Sequence, residues 1–416
     1  MGLAGREIAV IGAGIGGLAA AIALAARGAQ VTVFEAAEAL GEVGAGLQVA
    51  PNGLSVLAAL GIDAAVERVA NVPEAVELRD FREGRVVARM PLGATCVARY
   101  GRPYLHVHRA DLLEALAAAA RGAGVRLLLD ARVAEIAGMP EGQELKVVPE
   151  RGAPFPAEIV IAADGLRSPL RSAWFGGERP GFTGHVAWRA LVETARLPAG
   201  LVSATACVTM GPGRHLVTYP LRRGELVNLV AVEERAEWVA EGWSIPDDPE
   251  KLRAGFAGWG GAVPALLAAV DRTYLWGLFD HPPLPAWTKG RLALLGDACH
   301  PMLPYLAQGA TMALEDAWVL AAELDAAATL EEGLAAYHAR RAPRTARVQR
   351  AAARSGQIFH LRSGSRAVAH LGLRVAGALA PDSLVARFDW LYGADVVAGA
   401  GLHPAPRPRP ATATIG

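Results

Sequence analysis

The chain of 416 residues is long enough for about two or three domains and can bury a large apolar core. Its 41 Lys and Arg residues balance 41 Asp and Glu residues, so no overall positive charge attracts a phosphate backbone, and a nucleic-acid partner is excluded. Cys96, Cys207 and Cys299 form no CxxC motif, which excludes a disulfide framework and a cysteine-based metal site and favours a cytoplasmic location.

An uncharged run at residues 8–26 could be mistaken for a membrane span or an export signal. A spanning helix needs about 20 residues that stay helical, whereas this run is interrupted by Gly12, Gly14, Gly16 and Gly17. No small-residue cleavage site follows it. We therefore predict neither export nor a membrane partner.

The first part of the chain alternates between predicted strands and helices. A strand at residues 6–11, a helix at 18–26 and a strand at 31–35 form one βαβ unit. The patterns that follow predict a helix at 54–60, a hairpin around Glu83-Gly84, a helix at 111–121, a strand at 125–129, a strand pair at 133–136 and 145–148 around Glu141-Gly142, and a strand at 159–163.

The second part changes character and then returns to the first pattern. Residues 182–276 predict a mostly antiparallel sheet, with strands at 185–192, 204–210, 215–220 and 226–232. A buried strand at 292–295 and a long helical stretch from 311 to 396 follow. We therefore predict one domain from residues 1–75, 99–180 and 275–330, a second from 76–98 and 181–274, a C-terminal helical segment at 331–395, and a Pro-rich disordered tail at 396–416.

The glycine motif of the βαβ unit predicts a nucleotide site. Residues 12–17 satisfy GxGxxG between a strand and a helix, where glycines permit a tight turn, a close approach to a pyrophosphate and close helix packing. Glu35 ends the second strand, where its carboxylate can accept hydrogen bonds from both hydroxyls of an adenine ribose. This motif alone does not distinguish FAD from NAD.

Two further acidic residues favour FAD. Asp164 and Asp297 each follow a buried strand, and Gly296 precedes the second of them. Carboxylates at such positions can bind the hydroxyls of a ribityl chain, which FAD has and NAD lacks. The predicted fold class is therefore α/β, with a Rossmann-like FAD-binding domain interleaved with a mostly antiparallel β-sheet substrate domain and followed by C-terminal helices.

Together with Arg109, these motifs resemble the class A flavoprotein monooxygenases, whose fold is similar to that of p-hydroxybenzoate hydroxylase. The resemblance covers about residues 6–390 and is strongest over 294–317. It points to the group of salicylate hydroxylase, 3-hydroxybenzoate 6-hydroxylase and 6-hydroxynicotinate 3-monooxygenase. It implies the following FAD contacts: Gly12, Gly14 and Gly17 at the pyrophosphate, Glu35 at the ribose, Arg109 at the phosphate and ribityl region, Val133 near the adenine, Asp297 at the ribityl chain, Gly309 and Ala310 at the flavin pyrimidine edge, and Asp164 beside both FAD and the visiting nicotinamide cofactor. Gly16 and Gly296, in the same two motifs, are also predicted to bind the cofactor.

The resemblance also implies the reaction. NAD(P)H would reduce FAD, O2 would form a C4a-hydroperoxide, and an aromatic ring, phenolic or hydroxypyridine and carboxylated, would take up one oxygen atom. With one GxGxxG, the nicotinamide cofactor has no domain of its own, and NADH is favoured over NADPH because no basic cluster flanks the motif. We expect a monomer or a homodimer.

Three residues are candidates for the chemistry. His215 and Tyr219 share one face of a predicted strand, about 13 Å apart at Cα, and relatives carry His and Tyr at this separation. Spacing alone also fits two residues that merely line one side of the sheet. A histidine with an ordinary pKa of about 6.5 can remove the proton of a phenol, with Tyr219 orienting it. Pro304 stands where the family keeps a proline against the flavin, and where 3-hydroxybenzoate 6-hydroxylases carry glutamine.

Other features favour structural roles. His300 lies inside the Gly296-Asp297 motif, but no catalytic constellation of Asp and Ser accompanies it, so it is interpreted as structural. The arginines from Arg340 to Arg354 lack interleaved aromatic residues and predict a solvated or interdomain helix face. Cys299 is predicted to be a small core residue.

Two alternative functions stay open at this level. An epoxidase or reductase of an isoprenoid or polyketide substrate could use the same fold, and such a substrate would favour an apolar pocket without a base. A non-catalytic nucleotide-binding module is the second alternative, and it would purify as a colourless protein.

Overall fold

The computed structural model of the protein describes residues 2–41, 45–138, 144–176, 180–238, 245–379 and 381–398. Two large sheets organise these residues, and the predicted α/β fold class is confirmed. The predicted turn at Glu141-Gly142 and most of the predicted tail, from residue 399 onward, lie outside the described residues. Within the described ranges, no helix is both long and apolar enough to cross a membrane.

The first sheet is the predicted nucleotide-binding sheet. Its central strand β1 (Glu7–Ile11) pairs in parallel with its neighbours on both sides, with Ile8 opposite Val31 and Ile159. The other strands are β2 (Gln30–Phe34), β7 (Arg126–Leu128), β11 (Ile159–Ala162), β18 (Thr288–Lys289) and β19 (Leu292–Leu294), in the order β18-β19-β11-β1-β2-β7. All pair in parallel except β18 with β19. Their side chains are almost continuously apolar, as expected for a sheet that is covered on both faces.

Helices and short strands surround this sheet. The helix after the glycine motif begins at Ile15, ahead of the predicted start at residue 18, and is buried along most of its length. The elements are α1 (Ile15–Ala25), β3 (Gly46–Val49), α2 (Pro51–Ala59), α3 (Asp63–Val69), β6 (Leu105–His108), α5 (Arg109–Gly122), β8 (Val133–Ala137), β9 (Leu145–Pro149), β10 (Phe155–Ala157) and α6 (Pro169–Phe175).

The second sheet has the order β16-β17-β12-β15-β14-β13-β4-β5 and is antiparallel except where β13 pairs with β4. Its strands are β4 (Ala75–Asp80), β5 (Val86–Pro91), β12 (Gly181–Glu193), β13 (Thr205–Gly211), β14 (Arg214–Leu221), β15 (Leu226–Glu234), β16 (Ile245–Asp247) and β17 (Thr273–Asp280). The predicted domain boundary at residue 275 cuts through β17, which pairs with β12 and so belongs to the second sheet.

The remaining helices lie beside the second sheet or follow the return of the chain to the first sheet. They are α4 (Gly93–Tyr100), α7 (Pro249–Gly255), α8 (Val263–Ala268), α9 (Gly309–Ala326), α10 (Leu330–Phe359), α11 (Ser363–Leu379), α12 (Pro381–Ala386) and α13 (Asp389–Tyr392). Helix α9 is buried between α1, α2 and α10, which fixes the loop before it against the first sheet. One face of the second sheet thereby faces the carboxyl ends of the first-sheet strands.

Candidate active site

A cavity of about 780 Å3 lies between the two sheets. Its wall on one side is formed by the loops that follow β1, β2, β11 and β19, and on the other side by β12, β14, β15 and β17 of the second sheet. Ligands of open α/β sheets bind at the carboxyl ends of the strands, so the cavity lies where the first sheet predicts a nucleotide. It is large enough for an extended cofactor and a small substrate.

The glycine turn forms one end of the cavity. Gly12 has φ of +103°, and a Cβ there would lie 2.5 Å from the carbonyl oxygen of Ala163 on the neighbouring chain segment. A Cβ on Gly14, by contrast, would meet only open space. Because α1 begins at Ile15, backbone N–H groups of its first turn lack intrahelical partners and can bind an anion. The turn therefore suits a pyrophosphate.

Glu35 has a role in the turn that the sequence did not predict. Its Oε2 accepts a hydrogen bond from the backbone N–H of Ala13 at 2.7 Å, and its Oε1 accepts one from Ala37 at 2.9 Å. Each carboxylate oxygen can accept more than one hydrogen bond, so both can still receive the ribose hydroxyls. Glu35 thus links the end of β2 to the glycine turn and also lines the cavity.

Two aspartates project into the middle of the cavity from the ends of β11 and β19. Both carboxylate oxygens of Asp164 are buried without a hydrogen-bond partner among the described residues, and burial raises the pKa of Asp164. Asp297 lies deep in the protein, yet its side chain is exposed, because its accessible surface is that of the cavity. Burial also raises its pKa, and His300 and Arg109 oppose that rise. Buried carboxylates are stabilised by hydrogen-bond donors, which the hydroxyls of a ribityl chain would supply.

Most of the remaining predicted cofactor residues also line the cavity. Gly17 does not, because it packs against the turn itself, where a Cβ would lie 2.0 Å from the carbonyl oxygen of Gly12. Gly309 and Ala310 form the first turn of α9, whose N–H groups have no intrahelical acceptor and so can bind the flavin edge. Arg109 begins α5, and Val133 begins β8. Pro304 opens a 3-10 turn, and Gly16 and Gly296 are buried in the wall. One cavity thus contains groups that suit an anion, a polyol and a ring edge.

His215 and Tyr219 lie together on the cavity face of β14. Both are buried, and Val217 lines the cavity between them. The assumption of an ordinary pKa for His215 is wrong: burial, together with His360 and His185, lowers its pKa well below 6.5. His215 is therefore neutral at physiological pH and can accept a proton, but burial disfavours the charged imidazolium form. Burial raises the pKa of Tyr219, which keeps its hydroxyl protonated.

Arg189 is a cavity residue that the sequence did not single out. On the second sheet it lies opposite Val230, which in turn lies opposite Val217, so its Cα is about 10 Å from that of Val217 across two strand spacings. Its guanidinium stacks on Trp276, 4.5 Å from the ring centroid. An arginine at this position can bind a carboxylate in two-point geometry. It was missed because the pairing of β12 with β15 is a long-range contact.

A buried ionic cluster holds the loop that carries Asp297, and it includes His300 and Arg341. Asp316 accepts hydrogen bonds from the backbone of Gly296 at 3.2 Å and from His300, so His300 has an acidic partner. Arg341 is 1% exposed rather than solvated and bonds to Asp316 and Glu315. The cluster therefore ties α9, α10 and the Gly296-Asp297 turn together, and His300 is part of this support.

The predictions for the other arginines of α10 and for Cys299 have different outcomes. Arg344 is half-buried and donates to Glu315 at 2.7 Å, whereas Arg347, Arg350 and Arg354 are exposed as predicted. Cys299 is fully buried, which confirms its core position. The available signal for a buried cluster was a pair of adjacent acids, Glu315 and Asp316, flanked on both sides by apolar residues of α9.

Comparisons with known proteins show the family to which the chain is related. A family model described as an FAD binding domain matches residues 6–352. The chain is 42% identical to 3-amino-4-hydroxybenzoate 2-monooxygenase of Streptomyces platensis over 86% of this chain and 90% of that protein. It is 38% identical to 6-hydroxynicotinate 3-monooxygenase of Bordetella bronchiseptica over 83% of this chain and 90% of that protein. The crystal structure of a salicylate hydroxylase substrate complex superposes with a TM-score of 0.78 at 27% identity, covering 97% of this chain and 99% of that one.

Proposed function

The chain belongs to the FAD-binding domain family and is an FAD-dependent aromatic-ring hydroxylase, and we propose that it hydroxylates a carboxylated aromatic ring that already carries a hydroxyl group, with NADH as the reductant. The observation that carries the proposal is the placement of His215, Tyr219 and Arg189 on one sheet face of the cavity. A base and a hydroxyl on one strand and a guanidinium two strands away are complementary to a hydroxyl and a carboxylate on one small ring.

The cofactor residues support this assignment. The glycine turn, Glu35, Asp164 and Asp297 would hold the pyrophosphate, the ribose and the ribityl chain, and the first turn of α9 would hold the flavin edge. When bound, FAD supplies the electrons taken from NAD(P)H and the activation of O2. The absence of a second GxGxxG motif in the sequence supports a nicotinamide cofactor that visits the site transiently. NADH is preferred over NADPH because no basic cluster in the sequence flanks the glycine motif.

The chain's own residues prepare the ring for oxygen transfer. His215 removes the proton of the ring hydroxyl, which makes the ring more electron-rich. Tyr219 keeps its proton and donates a hydrogen bond that orients the hydroxyl oxygen. Pro304 and the apolar side chains of the second sheet, including Val217 and Val230, exclude water from the reacting ring.

A substrate panel tests the proposal. Purified holoenzyme would be given 3-amino-4-hydroxybenzoate, 6-hydroxynicotinate, 3-hydroxybenzoate and salicylate, with 2-aminophenol and an isoprenoid as comparison compounds. NADH and NADPH oxidation, O2 uptake, peroxide and hydroxylated product would be measured separately. We expect product from at least one hydroxylated aromatic acid and a preference for NADH. Oxygenation of the isoprenoid alone would support the epoxidase alternative and contradict our proposal.

A substitution then tests the base. His215→Ala should keep its FAD and its reduction by NADH, while product formation falls about a hundredfold or more, which is the usual scale for a lost general base. Thr218→Val is the matched control, because residue 218 alternates with His215 and Tyr219 along β14 and does not line the cavity. Product formation at the wild-type rate in His215→Ala would leave His215 as a wall residue only.

A further inference from the structure

A line of three side chains leads from the cavity wall to the protein surface. Nδ1 of His215 lies 2.7 Å from Nε2 of His360, and Nδ1 of His360 lies 3.3 Å from Oε1 of Glu234. His215 and His360 are buried, whereas the side chain of Glu234 is 37% exposed and also pairs with Arg362. These residues come from β14, from the end of α10 and from β15, so only the tertiary fold brings them together.

The chemistry of the three groups fixes the direction of the hydrogen bonds. An ionised glutamate can only accept, so Nδ1 of His360 must carry a proton and donate to Glu234. Nε2 of neutral His360 is then an acceptor, and Nδ1 of His215 must donate to it. His215 is thereby left with a proton on Nδ1 and a lone pair on Nε2. Because Nδ1 is engaged by His360, Nε2 is the nitrogen that remains for a group in the cavity.

We propose that His360 and Glu234 form a proton relay that fixes the tautomer of His215 and carries the proton of the substrate's ring hydroxyl from the cavity wall to the protein surface. This inference rests on the proposed function, in which His215 is the base. In the relay step, the ring O–H bond breaks and its proton moves to Nε2 of His215, while the electron pair stays on the ring oxygen. The Nδ1 proton of His215 moves to Nε2 of His360, and the Nδ1 proton of His360 moves to Glu234 and then to water.

The surroundings explain why a relay is needed. Burial lowers the pKa of His215 well below its ordinary value and lowers that of His360 to about 4, so neither imidazole holds a positive charge well. His185 on β12 and Arg362 lower the pKa of His360 further, whereas Glu234 opposes the shift. The neutral Tyr305 ring packs against both imidazoles. A proton taken from the substrate is therefore stabilised at the exposed carboxylate rather than on either ring.

Nitrogen NMR of the holoenzyme with labelled histidine tests the tautomers without any substrate, because the protonated and unprotonated ring nitrogens of neutral histidine have distinct shifts. We expect the Nδ1-protonated form at His215 and His360 in the wild type, assigned by His215→Ala and His360→Gln. In Glu234→Gln, residue 234 is no longer a carboxylate that can only accept a hydrogen bond from His360. The ratio of Nδ1-protonated to Nε2-protonated His215 should therefore fall by about tenfold, the scale of one charge-assisted hydrogen bond. Nε2-protonated His215 in the wild type would overturn the proposal, as would stoichiometric Zn2+ held by His360 and Glu234 in the purified protein.

Kinetics test the relay itself, using the best substrate of the panel. Glu234→Gln and His360→Gln should lower the rate of product formation at least about tenfold near pH 7 with roughly unchanged KM and FAD content, and the rate should recover as the pH rises toward the pKa of the ring hydroxyl. Glu233→Gln is the matched control, since Glu233 neighbours Glu234 but pairs with Arg214 and Arg235 instead. A loss that is equal at every pH would reduce His360 and Glu234 to structural supports and refute the relay.

The NMR and kinetic measurements distinguish a failure of the proposed function from a failure of the relay. If the wild type hydroxylates none of the aromatic acids, the proposed function fails, while the NMR measurement still decides whether the tautomers are fixed as inferred. If the wild type hydroxylates one of them but the tautomers or the pH profiles do not change in the variants, the relay fails and the proposed function stands.

Discussion

Nε of Arg341 lies 2.7 Å from Oδ1 of Asp316, and both side chains are shielded from solvent. Asp316 in turn accepts a hydrogen bond from the backbone N–H of Gly296, next to Asp297. A charge pair in the interior of the molecule therefore positions the loop from which the predicted cofactor carboxylate projects. Because removal of one partner would leave the other charge buried and unpaired, the pair makes a strong prediction about stability.

Arg341→Met should lower the free energy of unfolding by about 3–5 kcal/mol, the usual loss when a buried ion pair is broken. Arg340→Met is the matched control, because Arg340 pairs with Glu323 near the surface, where such a pair contributes about 0–1 kcal/mol. Urea unfolding followed by circular dichroism measures both variants. Equal losses would mean that the buried cluster contributes no more than a surface pair.

Asp297→Ala should weaken FAD binding by about 1.5–3 kcal/mol, because a charge-assisted hydrogen bond to the cofactor is lost. The dissociation constant can be measured by titrating the apoprotein with FAD and following flavin fluorescence. Asp271→Ala is the control, since Asp271 pairs with Arg196 at the surface. Unchanged FAD affinity in Asp297→Ala would remove this residue from the cofactor site.

Glu35→Ala should also weaken FAD binding, and for two reasons: the ribose loses an acceptor, and the N–H of Ala13 in the glycine turn loses its partner. The rate at saturating FAD should stay nearly that of the wild type, because the ribose end of the cofactor is far from the reacting ring. Product formation as a function of FAD concentration separates the two effects. A large loss of rate at saturating FAD would place Glu35 closer to the chemistry than we infer.

Arg189→Met should raise the KM for a carboxylated substrate by at least about tenfold, which corresponds to the loss of one charge-assisted hydrogen bond. For a phenol that lacks the carboxylate, the substitution should change the rate little. Comparing 3-amino-4-hydroxybenzoate with 2-aminophenol in the wild type and the variant makes this measurement. Arg196→Met, outside the cavity, serves as the control. A parallel change for both compounds would argue against a carboxylate contact.

Stability should decrease as the pH falls below about 6.5, the ordinary pKa of histidine in an unfolded chain. Burial lowers the pKa of His106 to about 3 and that of His360 to about 4, and lowers that of His215 well below 6.5. Below pH 6.5 the unfolded chain therefore binds protons that the folded protein does not. As the pH falls, each such histidine lowers the free energy of unfolding by up to about 1.4 kcal/mol per pH unit, until the pH reaches the pKa of that histidine in the folded protein.

Urea unfolding at several pH values between about 7.5 and 5 measures this slope. In His106→Leu the dependence of the free energy of unfolding on pH should be smaller by the contribution of one histidine. His106 suits this test because it is fully buried and neither ring nitrogen has a hydrogen-bond partner among the described residues. Stability that is constant or increases toward acidic pH would contradict the inferred neutral state of these side chains.

Local patterns in the sequence were sufficient to predict several parts of the protein. The GxGxxG turn, the acids that end two buried strands, and the alternation along β14 each depend on neighbouring residues, whose spacing sets which way the chain turns or which face a side chain takes. The cofactor residues and the shared face of His215 and Tyr219 could therefore be named before the structure was available. Their roles in binding and catalysis stay predictions.

Contacts between side chains that are distant in the sequence depend on the fold and could not be predicted from local patterns. His360 reaches His215 from the end of α10, and Arg189 enters the cavity through strand pairing that no local pattern specifies. The arginines of α10 show the reason most clearly. Arg341 shares a buried face with Thr345 and Val348, but its charge hid that helical periodicity, because the acids that neutralise it lie on α9. Burial of a charge depends on its partner, and the partner is supplied by the fold.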